Sequence, residues 1–220
     1  MKLLLMIFIG YLIGSMNPAY LISRARGFDI RERGSKNAGA SNALIVMGKK
    51  AGLVTALLDI FKAFLVVKMA QQWFPVIPYA GVVAGVSCVF GHVFPPLMHF
   101  HGGKGLACLG GLILAFDYRL FLVMFVLELI LVLIVDYICV VPISASIAFT
   151  LIYKVLTGDS HGSVALGIMA LLIFYKHIEN IKRIRCGAEA HFSFLWKRNQ
   201  EVERLRDTVE DDILEEKEEQ

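Results

Sequence analysis

Seven apolar runs, each bounded by polar residues, dominate this chain: 3–23, 51–71, 76–92, 104–116, 119–135, 137–156 and 163–181. The hydrocarbon core of a bilayer takes about 20 apolar residues of helix to cross. A backbone N–H or C=O in lipid finds no partner outside its own segment, so such runs must be helical. The chain is 57% hydrophobic, against about 45–50% for a soluble domain. The expected fold class is therefore all-α: a polytopic membrane protein with about seven transmembrane helices. The run 104–116 is short for a full crossing and lies close to the next, so five or six spans stay possible if the pair is one bent element. The first run has the length of a signal peptide. However, Arg24 follows it directly and Asn17-Pro18-Ala19 offers no small-x-small cleavage pattern, so it reads as a retained helix.

Charge is divided unevenly. Residues 201–220 hold ten acidic and three basic residues, a tail of −7; the chain total is +3, so the body carries +10. A basic body suits anionic headgroups and phosphorylated substrates. It gives no expectation of nucleic acid. The reading divides the chain into a membrane domain, 1–190, and an acidic tail, 191–220, solvated and of unknown partner. Basic residues crowd 24–50 and 182–198, which places those stretches in the cytoplasm. With seven spans the N-terminus is then outside and the C-terminus cytoplasmic. The loop 91–105 falls on the same side, although the sign rule did not force it there.

Three polar clusters therefore share one face. The first, Gly34-Ser35-Lys36-Asn37-Ala38-Gly39-Ala40-Ser41-Asn42, precedes a short helical stretch. Its Ser and Asn residues fit helix capping, and the free N–H groups at a helix start fit phosphate equally well. The second is Gly91-His92 with Gly102-Gly103-Lys104-Gly105. An ammonium is costly in lipid, so Lys104 should face a polar cavity or an anion. The glycines beside it allow backbone N–H groups to approach a ligand closely. It is no Walker A loop, because Gly105 follows Lys104 where that motif has Ser or Thr. His99 and His101 are two residues apart with no carboxylate beside them, so they read as surface histidines and no metal is expected. His92, at a helix end beside the glycines, suits a hydrogen-bonding role.

The third cluster is His177-Ile178-Glu179-Asn180 among Lys176, Lys182, Arg183 and Arg185. His177 and Asn180 share a helical face, while Glu179 points away and can hold a nearby cation. An interfacial helix end with snorkelling cations explains this cluster as well as a site does. Within the runs, Asp59 and Lys62 at i,i+3 predict an ion pair. Glu128 predicts a protonated or cross-helix-paired carboxyl. Cys88, Cys108, Cys139 and Cys186 form no C-x-x-C pair and read as packed thiols.

Together these motifs resemble the bacterial membrane acyltransferases that acylate glycerol 3-phosphate from acyl phosphate, the PlsY family. The likeness covers roughly 10–190 and rests on Gly14-Ser15-x-x-Pro18, Asp29-Ile30-Arg31-x-x-Gly34-Ser35-x-Asn37-x-Gly39-Ala40-x-Asn42, Gly91-His92-x-Phe94-Pro95, Gly102-Gly103-Lys104-Gly105 and His177-x-Glu179-Asn180. The resemblance implies a seven-helix fold in the bacterial cell membrane, with active-site loops open to the cytoplasm. It implies no cofactor, no CoA and no metal, and it names acyl phosphate, glycerol 3-phosphate and membrane lipids as the molecules met. It implies that Ser35, Lys104, His177 and Asn180 are catalytic. Asn37, Gly39, Ser41, Asn42, His92, Gly102, Gly103 and Glu179 would bind or brace substrate, with His92 orienting the lysine loop.

The family pattern has arginine where this chain has Ile45, and serines where it has Cys139 and Pro142. Loss of a guanidinium fork removes a phosphate grip. Lys36, in place of a glycine, returns charge with a different geometry. Two further readings therefore stand beside acyl transfer: a divergent relative with another acceptor or little activity, and a transporter or binding protein for a phosphorylated metabolite. The lack of a visible internal repeat counts against transport.

Overall fold

A computed structural model describes residues 2–197 together with 200, 201 and 204. The described residues form helices and turns, with no strand among them. The first apolar run is α1 (Lys2–Ser15), which breaks at Asn17. The Asn17 side chain accepts from the Tyr20 N–H at 2.9 Å, and Pro18 opens α2 (Pro18–Ala25). This is an N-cap followed by proline, where the missing N–H costs nothing. Asp29 caps a 3₁₀ turn (Ile30–Glu32), so the charge run 29–33 is a turn rather than an interfacial helix. After α3 (Ala40–Met47), Gly48 at φ 90° turns the chain into α4 (Lys49–Trp73). Next come α5 (Ala80–Val93), α6 (Leu106–Phe116) and α7 (Tyr118–Val135). Asp117 separates the last two, accepting from the N–H groups of Arg119 and Leu120 at 2.7 and 2.9 Å. The chain ends with α8 (Val140–Thr157), α9 (Ser160–Lys176) and α10 (Ile178–Arg185).

Among the described residues, four stretches are long and apolar enough to cross a membrane: Leu3–Ala25, Ala80–Met98, Tyr118–Val135 and Val140–Thr157. A fifth arises if α9 and α10, bent by 41° at His177, are one span. The chain is thus a multi-pass, all-helical membrane protein. The other two expected spans differ in kind. Helix α4 has 25 residues but carries Asp59 and Lys62, and α6 has 11. At 1.5 Å per residue α6 is roughly 16 Å long, about half the hydrocarbon thickness.

Helix α5 lies at the centre, packed by α1, α4, α6 and α9. Close approach to α1 depends on missing side chains. A Cβ on Gly14 would strike the Cys88 carbonyl, and one on Gly91 the Tyr11 carbonyl. Small residues that admit a neighbouring backbone are the usual means of helix association in lipid, where burial supplies no hydrophobic gain. Helix α7 is the opposite case: Val123, Leu127, Ile130 and Ile134 are exposed, as a lipid-facing surface should be. Its Glu128 accepts a hydrogen bond from Ser144 Oγ of α8 at 2.7 Å, the cross-helix partner expected of it. Cys88, Cys108 and Cys139 are buried, but Cys186 is exposed, because α10 ends there at the surface.

Candidate active site

The loops at one end of the bundle are tied to each other by side chains. Arg31 Nη1 donates to the Met98 carbonyl at 2.7 Å, joining the 29–42 loop to the loop that leads into Lys104. Arg31 is itself held by Asp29 through Nε and Nη2, the latter at 2.7 Å. The Arg31 guanidinium keeps the Asp29 carboxyl below its ordinary range. Asn17 Nδ2 donates to the Ala38 carbonyl at 2.8 Å. The Lys176 ammonium stands 5.6 Å from the centre of the Phe94 ring, bringing the end of α9 to the same loop.

Within the first loop, buried Asn42 is the organiser. Its Oδ1 accepts the Ser35 N–H at 2.9 Å, and its Nδ2 donates to the carbonyls of Ile30 and Arg33. Ser35 and Ser41 are exposed, Asn37 is half-buried, and Gly39 is the N-cap of α3. A Cβ on Gly39 would crowd Asn37 Nδ2, so the amide sits where only a glycine leaves it room in its present rotamer.

The glycine loop is built against His92, at the end of α5. The N–H groups of Gly102 and Gly103 donate to the carbonyls of Val93 and His92, each at 3.1 Å. A Cβ on Gly103 would collide with His92 Nε2, and one on Gly102 with the His92 carbonyl. His92 is buried, and its Nδ1 lies 3.1 Å from Lys62 Nζ and 3.3 Å from Asp59 Oδ1. The predicted Asp59–Lys62 pair is present at 2.7 Å, and Lys62 also donates to the Met16 carbonyl, left free where α1 ends, at 2.7 Å. The sequence reading missed that the pair anchors His92. Among the described residues, one set of possible metal ligands converges: Asp59, His92 and Cys108. The Lys62 ammonium already compensates that carboxylate and would repel a cation.

Lys104 meets the third cluster. Its Nζ donates to Asn180 Oδ1, and Asn180 Nδ2 donates to Glu189 Oε1 at 2.6 Å. The other carboxylate oxygen of Glu189 accepts from Arg183 Nε at 2.7 Å. Burial, followed by the Arg183 charge, holds the Lys104 ammonium below its ordinary pKa, while Glu189 opposes the shift. His177 Nδ1 lies 2.7 Å from the Ile173 carbonyl. A carbonyl only accepts, so Nδ1 carries the proton and Nε2 of the neutral ring is the acceptor. Glu179 is not part of this group: its side chain is exposed and pairs with Lys182 at 3.2 Å. The brace expected of Glu179 is supplied by Glu189, which a motif ending at Asn180 could not reveal.

Residues beyond Glu189 also hold the end together. Asp136 accepts from Ser193 N and Oγ at 2.7 and 2.8 Å. Glu201 accepts from the His191 N–H at 2.8 Å, and Arg204 bonds to Glu201, to the Glu189 carbonyl at 2.8 Å and to the Gly187 carbonyl. The first residues of the tail thus bind the body. The remainder of the acidic stretch lies outside the described residues.

Such an arrangement defines a class: a helical membrane protein presenting a lysine, in a glycine loop, to an amide–carboxylate pair at one end of its bundle. Residues 4–187 match the model of the family described as glycerol-3-phosphate acyltransferase. The glycerol-3-phosphate acyltransferase of Bacillus velezensis is 35% identical, over 84% of this chain and 94% of its own. That of Aquifex aeolicus is 32% identical, over 87% of this chain and 100% of its own. The crystal structure of PlsY (YgiH), an integral membrane glycerol 3-phosphate acyltransferase, in its glycerol 3-phosphate form superposes with a TM-score of 0.82 at 31% identity, covering 89% of this chain and 98% of that one. Its lysophosphatidic acid form gives 0.79 at 30% identity. The chain belongs to the glycerol-3-phosphate acyltransferase family.

Proposed function

We infer that this chain transfers an acyl group from acyl phosphate to a hydroxyl of glycerol 3-phosphate, giving lysophosphatidic acid for phospholipid synthesis. The observation that carries the reading is the Lys104–Asn180–Glu189 chain, built from two motifs of the matched family and a residue just beyond it. Acyl phosphate is a mixed anhydride and arrives activated. The glycerol oxygen forms an ester bond to the acyl carbon, the bond from that carbon to the phosphate oxygen breaks, and the hydroxyl proton passes to the departing phosphate. The protein's part is orientation and charge neutralisation. In this reading Ser35, Asn37 and Gly39 cradle phosphate on the loop that Asn42 and Ser41 support. Lys104 supplies the positive charge, His177 and Asn180 hold glycerol 3-phosphate, and His92 fixes the turn of Gly102 and Gly103.

The same proposal takes α4 and α6 as spans, giving seven in the bacterial cytoplasmic membrane with the N-terminus outside. Support comes from the charged Asp59 and Lys62 being paired and buried, so that α4 exposes apolar residues such as Leu57 and Phe61. The site then opens to the cytoplasm, and the membrane domain ends near 190.

Acyl transfer from palmitoyl phosphate to glycerol 3-phosphate by the purified protein in detergent tests the reading. Lysophosphatidic acid is expected from wild type, with turnover lowered about 10²–10³-fold in a folded Lys104→Ala variant. Wild-type turnover in that variant removes the assigned role of Lys104. A different acceptor is the second reading, favoured by Ile45 and Cys139. Product formed from another polyol phosphate, and none from glycerol 3-phosphate, would establish it.

A further inference from the structure

We propose that Glu189 is a positioning residue for acyl transfer, fixing the Asn180 amide so that its oxygen faces Lys104. The inference rests on the acyl-transfer reading above. An asparagine amide presents an acceptor at one end and donors at the other, and nothing intrinsic selects which end faces a given neighbour. The ammonium of Lys104 has only donors, and an ionised Glu189 has only acceptors. Setting Asn180 between them leaves one orientation in which both contacts are satisfied, the one observed.

Glu189 is itself fixed. Its side chain is 9% exposed, its second oxygen takes Arg183 Nε at 2.7 Å, and its carbonyl takes Arg204 Nη2 at 2.8 Å. Its position is therefore set from α10 on one side and from the chain beyond 200 on the other. The family match ends at 187, two residues short of it.

Glu189 also sets the charge around Lys104. The ionisable groups facing that ammonium are Arg183 of α10, Lys176 of α9, His177 at the α9–α10 break, Cys139 before α8 and Glu189. Arg183 and Lys176 both disfavour its protonated form, and Glu189 is the carboxylate that favours it. Removing the negative charge destabilises the ammonium, so Lys104 loses its proton at a lower pH. The alkaline limb of the activity profile should move with it.

Glu189→Gln tests this by kinetics and pH profile in detergent. The expected result is a folded protein with kcat lowered about 10–100-fold, as for a lost charged hydrogen bond. The alkaline limb should lie at lower pH, as for an opposite charge removed at close range. Glu189→Asp keeps the charge at shorter reach, so kcat should fall while the limb stays in place. It also carries the test if the glutamine variant does not fold. A Glu189→Gln limb at the wild-type pH, or a limb that moves equally in both variants, overturns the proposal. If wild type makes no product, the acyl-transfer reading fails instead. The pH dependence of Lys104 acetylation by acetic anhydride, read by peptide mass spectrometry, then reports the same shift without turnover.

Discussion

Asn42 accepts the backbone N–H of Ser35 through its side-chain oxygen at 2.9 Å, while its nitrogen donates to two carbonyls of the preceding turn. The two ends of this amide are not interchangeable. Asn42→Asp sets a carboxylate oxygen against the Ile30 and Arg33 carbonyls, and leaving such groups unpaired costs about 1–3 kcal/mol. The expected outcome is a lower unfolding temperature and a raised KM for glycerol 3-phosphate, read by thermal unfolding in detergent and steady-state kinetics. Unchanged values in both would remove Asn42 as the organiser of the loop.

Lys62 neutralises Asp59 inside the bundle and also bonds to the Met16 carbonyl. Lys62→Met leaves the buried Asp59 carboxylate with His92 alone beside it, and a loss of up to about 3–5 kcal/mol is expected. The double variant Lys62→Met with Asp59→Leu should recover much of that loss, since no charge then lacks a partner. Equal unfolding temperatures for the single and double variants would count against the pairing account.

Ile45 is 48% exposed on α3, leaving room for a longer side chain. Ile45→Arg restores the guanidinium of the family pattern, and one charged hydrogen bond to phosphate is worth about a tenfold gain in kcat/KM for glycerol 3-phosphate. No gain would mean that another group, with Lys36 the first candidate, already fills that role.

The hydrogen bonds from Arg204 and His191 hold the Glu201 carboxyl at about 2, against an ordinary 4.5. A depressed folded-state pKa means the stabilisation is complete above the ordinary value and fades as pH falls toward the folded one. Wild type should therefore lose this contribution between about 4.5 and about 2, and Glu201→Gln should show a flatter decline over that window. Parallel declines in thermal unfolding against pH would remove Glu201 as the source of this contribution.

Apolar run length was enough to read the helices, since lipid leaves the backbone no alternative. The boundary at Asp117 was legible between two runs, but the break at Asn17 was not, since the first run reads as one helix. The bend at His177 inside the last run was hidden, because the polar residues around it read equally well as the interfacial end of a straight span. At the site, Lys104 stood out because a cation in such surroundings needs a reason, whereas His177 and Asn180 became candidates through the resemblance. Glu189 and Arg204 could not be found, since a carboxylate and a guanidinium in a hydrophilic segment look solvated until the fold buries one and aims the other. Glu179 divides the two kinds of reading: helical spacing pointed it away toward a cation, as its pair with Lys182 shows, whereas the resemblance gave it a bracing role.

Asn180 and Glu189, the partners of Lys104, lie more than seventy residues downstream of it. In chain order Lys104 and its glycine loop precede the groups that receive its ammonium. A chain cut short before α10 would keep the glycine loop against His92 but leave the Lys104 ammonium without Asn180 and Glu189.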